Sequence, residues 1–179
     1  VGNSEMEACI DTAVAAYEAG CDGILVQDAG LMNELHLRYP SIPLHCSTQM
    51  NVFSEEDFKN ISELGVKRIV LPRELSLQEI AVRTKAARRY GIETEVFAHG
   101  AVCVCYSGLC LFSAMNKSGS RSGNRGLCAQ PCREEYSLLC DGNVVREGHL
   151  LSPKDRDITN YIRELIASGT ASLKLEGRM

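Results

Sequence analysis

Four cysteines dominate the chemistry this chain could do. "HGAVCVCYSGLC", His99 to Cys110, holds Cys103, Cys105 and Cys110, and "GLCAQPCR" adds Cys128 and Cys132. Thiolates bind soft metals, form disulfides, attack carbonyl carbons or pack as small apolar groups. The chain has nine cysteines, an odd number, so complete pairing is excluded. Cys103 and Cys105 are one residue apart, poor geometry for a relaxed disulfide. A zinc ribbon wants two close pairs; Cys128 and Cys132 fit loosely, while Cys103 and Cys110 stand too far apart. Iron–sulfur clusters accept looser spacing on four thiolates. Cys103, Cys110, Cys128 and Cys132 lie in a Gly/Ser-rich stretch able to wrap one. A nucleophilic Cys103 would need His99 as its base. Spacing alone leaves metal or cluster, structural thiol and nucleophile all open. Cys9, Cys21, Cys46 and Cys140 lie in apolar contexts and are expected to pack in the core.

The elements that must position these thiols follow from periodicity. Apolar residues at helical spacing predict a helix over 4–19, capped by Ser4. Helices are also predicted over 29–39, over 54–65 with Ser54 as cap, and over 76–91 with Ser76 as cap. Between them 23–26, 42–47, 66–71 and 92–98 read as short buried strands. Alternating strands and helices imply a parallel sheet. After the cysteine stretch, 98–133, a β-hairpin is expected around Asp141-Gly142-Asn143. A helix follows over 152–169, with Pro153 at its first position, and then a last strand over 171–176. The fold class is α/β: a partial TIM-type (β/α) barrel with parallel strands, plus a Cys-rich loop and a short β-hairpin insertion. Residues 1–179 read as one domain, the truncated central part of such a barrel, since a complete one takes about 250 residues.

Parallel strands deliver their C-terminal ends to one rim, where barrel enzymes keep their chemistry. That rim should gather Asp28, Thr48, Gln49, Arg73, Glu74 and His99. His99, Asp28 and Glu74 are the candidate catalytic groups. Gln49, Thr48, Arg73 and Arg125 are candidate substrate-binding groups, because a guanidinium pairs bidentately with carboxylate or phosphate. Between Asn116 and Arg133 there is no acid, but there are Lys117, Arg121, Arg125 and Arg133. Such a loop on a chain of net charge −4 suits phosphate or RNA contact. No apolar run approaches the roughly 20 residues of a membrane helix, and no signal peptide opens the chain. A cytoplasmic protein without membrane contact is expected.

The stretch "EVFAHGAVCVCYSGLCLFS" resembles the signature of the collagenase-like peptidase family U-32. Glu95, Phe97, Gly100, Ala101, Val102, Cys103, Gly108, Cys110 and Ser113 match; Phe112 stands where the pattern has an aliphatic residue. "LHCSTQMNV", "LPRELSLQEI", "GNRGLCAQPCR" and "LKLEGRM" are also similar to family segments. The resemblance implies oxygen-independent hydroxylation of an RNA base in tRNA or ribosomal RNA, or of a ubiquinone precursor. It further implies a [4Fe-4S] cluster on Cys103, Cys110, Cys128 and Cys132, with prephenate as a co-substrate. Cys105 has no counterpart in the pattern. The family's name implies the alternative, peptide hydrolysis, although no H-E-x-x-H or G-x-S-x-G motif is present. A third reading is a non-catalytic fragment whose cysteines hold zinc.

Overall fold

A computed structural model describes residues 1–116 and 121–177. The elements run α1 (Met6–Glu18), β1 (Ile24–Val26), α2 (Ala29–Arg38), β2 (Leu44–Cys46), α3 (Glu55–Glu63), β3 (Val66–Val70), α4 (Leu77–Arg88) and β4 (Glu93–Gly100). Then come α5 (Phe112–Asn116), β5 (Tyr136–Cys140), β6 (Asn143–Gly148), β7 (Arg156–Asp157), α6 (Ile162–Ser168) and β8 (Ser172–Glu176). The first four strands lie parallel in the order β1-β2-β3-β4, and β8 continues parallel beside β4. The outcome is the parallel half-barrel expected from the βα rhythm. Among the described residues no helix is long and apolar enough to cross a membrane.

The helices form because their ends are satisfied locally. Ser54 and Ser76 each accept the N–H three residues on, and Asp57 and Glu79 bond back to the cap N–H, completing capping boxes. Their apolar stripes pack on one face of the sheet. Phe58, Ile10, Met32, Leu35, Leu44 and Ile69 are the largest side chains sealed there. The opposite face is polar. Arg68 pairs with Glu93 at 2.7 Å and reaches Glu95 at 3.7 Å, while Glu95 accepts from Ser172 at 2.9 Å and lies 3.9 Å from Lys174.

Three expectations need correction. Ser4 does not cap the first helix; a 3-10 turn over Asn3–Glu5 precedes it and α1 starts at Met6. The helix expected over 152–169 is much shorter. The open edge of β4 captures Arg156–Asp157 as an antiparallel strand opposite Gly100 and His99, and only Ile162–Ser168 is α-helical. Cys21 and Cys140 are exposed rather than in the core, because Cys21 follows the end of α1 and Cys140 ends β5 in a separate two-stranded hairpin, β5–β6, most of whose residues are exposed. Cys46 is fully buried and burial pushes its thiol up to about 12; Cys9 is partly buried against the core. The hairpin turns at Asp141-Gly142, both at positive φ, as a tight primed turn requires.

Candidate metal centre

At the C-terminal rim β4 ends in Gly100, whose φ of +112° favours glycine, and a Cβ there would run into the Glu176 carbonyl. The chain can therefore cross closely over β8 and enter the cysteine segment. Gly108 repeats the device: at φ +75° it packs against the Gln49 carbonyl, bringing the loop down onto the turn after β2. Together these approaches fold residues 101–133 over the mouth of the half-barrel.

Cys103, Cys110, Cys128 and Cys132 line one cavity of about 80 Å³. That is several times the about 10–15 Å³ a water molecule needs. Arg73, Arg133 and Gln49 share its wall, and no carboxylate does. All nine cysteines are free thiols. Among the described residues no three His, Cys, Asp or Glu side chains come close enough to hold a single ion. The four cysteines share this one cavity wall. Burial raises Cys132 despite the opposing charge of Arg133. Burial and the adjacent Cys110 push Cys105 up to about 11, so a fifth thiol stands beside the four.

Polar side chains hold the loop in place of a core. Ser113, buried in α5, accepts the Ala129 N–H at 2.6 Å. The Gln130 N–H donates to the Cys128 sulfur at 3.3 Å, with Gln130 itself at φ +57°. Arg133 donates to Ser152 Oγ and to the Pro153 and Val102 carbonyls, clamping both ends of the segment. Arg121 donates to the carbonyls of Leu127 and Cys128. Sequence reasoning named neither Ser113 nor Arg133 as an organiser of the site. Their neighbours in space are distant in sequence, and only the serine's place in the matched signature pointed to it.

The predicted rim residues divide. Arg73 and Gln49 reach the thiol cavity. The Arg73 guanidinium lies 4.8 Å over the Phe97 ring and 3.4 Å from Ser107 Oγ; among the described residues its buried Nε has no hydrogen-bond partner and no acid pairs with it. His99 is exposed and lines a neighbouring crevice that Arg73 and Arg156 share. Thr48 is buried, 3.5 Å from the Leu71 carbonyl. Asp28 is the N-cap of α2, accepting the Leu31 N–H at 2.9 Å, and bonds the Val1 ammonium at 2.7 Å. That bond, then the Leu31 N–H, holds its carboxyl below the usual range. Glu74 accepts the Ser107 N–H at 2.6 Å and lines a second hollow beyond Tyr106. Arg125 is exposed and paired with Glu5 at 2.9 Å. Of the cationic loop, Arg121, Arg125 and Arg133 are thus engaged within the protein, and Lys117 lies outside the described residues.

A family model described as Peptidase family U32 matches residues 1–179, and the chain belongs to that family. It is 42% identical over 98% of its length to the 23S rRNA 5-hydroxycytidine C2501 synthase of Escherichia coli (strain K12), covering 26% of that protein. It is 37% identical, over 98% of its length, to tRNA hydroxylation protein P of Helicobacter pylori (strain J99), covering 44% of it. The chain therefore spans less than half the length of these relatives. A solved structure of a U32 peptidase superposes with a TM-score of 0.51 at 16% identity, over 99% of this chain and 63% of that one, and agrees in fold.

Proposed function

We propose that this chain forms the cluster-binding part of an iron–sulfur enzyme that hydroxylates an RNA base without oxygen, in the cytoplasm. The observation that carries it is the single cavity walled by Cys103, Cys110, Cys128 and Cys132. Zinc needs its four ligands to converge at about 2.3 Å from one centre. A [4Fe-4S] cluster gives each thiolate its own iron, so its ligands border a shared space, and four cysteines lining one cavity support that reading. The wall is also suited in charge: two guanidinium groups and no carboxylate face the anionic sulfurs. The Gln130 N–H on Cys128 is the kind of bond that tunes cluster potentials. The likeness to proteins named for rRNA and tRNA hydroxylation supports an RNA substrate.

Bound, the cluster would supply one-electron chemistry that needs no oxygen. The chain's own residues hold and orient the reactants. Arg73, free of any acid and fixed over Phe97, is placed to bind an anionic group, the carboxylate of a co-substrate such as prephenate or an RNA phosphate. Gln49 offers an amide at the same wall. His99 stands one crevice away, with Arg73 between it and the thiols, so any proton it relays must pass that side.

Anaerobic purification and reconstitution test this. We expect about four iron and four sulfide per chain, falling sharply on Cys→Ala change at any of positions 103, 110, 128 or 132 and persisting in Cys105→Ala. One zinc with no sulfide would replace this reading with the non-catalytic zinc-binding one. Cleavage of denatured collagen by metal-free protein, abolished by His99→Ala, would replace it with the peptidase one.

A further inference from the structure

Beside the thiol cavity lies a second hollow of about 190 Å³ that the chemistry above does not use. Tyr106 forms a wall of both spaces. Whatever fills the second is therefore the immediate neighbour of whatever enters the first. Tyr106 is 66% exposed and Phe53, which lines the same hollow, is 38% exposed. Two aromatic side chains left partly in water beside a cavity suit a planar ring.

The remaining lining fits the edge of such a ring. Arg83 contributes an Nε that is buried and has no hydrogen-bond partner. Glu74 and Glu79 each hold the protein with one oxygen, on the Ser107 N–H and on Ser76, and keep the other open. Asn51 adds an amide from a left-handed position that ends the turn after β2. Donors and acceptors thus line the hollow together with two aromatic side chains. Two carboxylates against one guanidinium disfavour a phosphate and favour the amino and imino N–H groups of a base.

We propose that this hollow receives an unpaired nucleobase, the one adjoining the base that enters the thiol cavity. The proposal rests on the RNA reading given above. A paired base has its edge occupied, so the target must lie in a single-stranded segment.

Fluorescence anisotropy with a labelled single-stranded RNA dodecamer, at several salt concentrations, tests it. A dodecamer of abasic riboses serves as the phosphate-only control. Stacking on an aromatic typically sets about a 5- to 100-fold change in affinity. Tyr106→Ala and Phe53→Ala should each weaken RNA binding by that factor, Tyr106→Phe should not, and Arg83→Gln should weaken it too. The salt dependence should stay unchanged, since no phosphate contact is removed. Tyr106 is exposed, so its loss should leave the melting temperature in place; Phe53→Leu covers the chance that Phe53→Ala unfolds. Equal affinity of wild type and all variants for RNA would overturn the base pocket and leave the RNA reading standing. Equal affinity for RNA and for the abasic chain, or free nucleosides binding as tightly as the dodecamer, would likewise overturn it. No binding of RNA by the wild type would overturn both.

Discussion

The half-barrel and the cysteine loop are built on different physics. Residues of α1–α4 and β1–β4 bury a contiguous apolar core in which Phe58, Ile10, Met32 and Leu35 are fully covered. Among the described residues of 101–133 almost no large apolar side chain is buried; Leu109, Leu111 and Leu127 are all exposed there. Their backbone is tied instead by Ser113, Arg121 and Arg133, one hydrogen bond at a time. A net hydrogen bond contributes about 1 kcal/mol, whereas burying one large apolar side chain contributes about 1.5–3 kcal/mol. The helix–sheet core is therefore held mainly by apolar burial, while the loop depends on that core and on whatever its thiols hold.

The largest effect expected from that contrast lies in the barrel. Phe58→Ala leaves a void among α3 and its neighbours and should cost about 3–5 kcal/mol. Chemical denaturation should show one transition moved to lower denaturant, with the partly buried Cys103, Cys110 and Cys132 gaining full reactivity in the same step. Full reactivity of those three well before the barrel unfolds would mean the loop is not carried by it.

Ser113→Ala probes the other region. It strands the Ala129 N–H and should cost about 1–3 kcal/mol, locally. The rate at which Cys128 and Cys132 react with a thiol reagent should rise, while the far-ultraviolet circular dichroism of the barrel stays the same. A matching fall in global stability with unchanged thiol reactivity would assign Ser113 to the core instead.

The same contrast explains what the sequence disclosed. Strands and helices up to Gly100 were legible because apolar periodicity and serine caps are local signals: Ser54 and Ser76 act three residues away. The four thiols were legible as a set by their type and by the family signature. Their partners were not. Arg133 reaches Val102 and Pro153, and Arg73 rests on Phe97, contacts no window of sequence contains. Asp28 was expected on the rim and Arg125 in the cationic loop, yet each bonds a group near residue 1, the Val1 ammonium and Glu5. Pro153 looked like a helix start, but the unpaired edge of β4 outbid the local preference over 156–157.

The smallest effect concerns a local signal that both sequence and structure record. Asp57 closes the α3 capping box, accepting the Ser54 N–H at 2.9 Å and the Phe53 N–H at 3.3 Å. Partial burial pushes its carboxyl up, but these bonds outweigh that and hold it below the usual aspartate range. A carboxyl lowered in the folded state adds stability above its unfolded pKa and loses it as pH falls through the folded value. Asp57→Asn should therefore cost about 1 kcal/mol at neutral pH. Wild type and variant should converge in melting temperature as the pH drops below the ordinary aspartate range. The gap should close in the unfolding transition itself, because α3 packs on the sheet through the buried Phe58 and Ile61. A gap constant with pH would mean that Asp57 acts through its shape and its amide-compatible bonds rather than its charge.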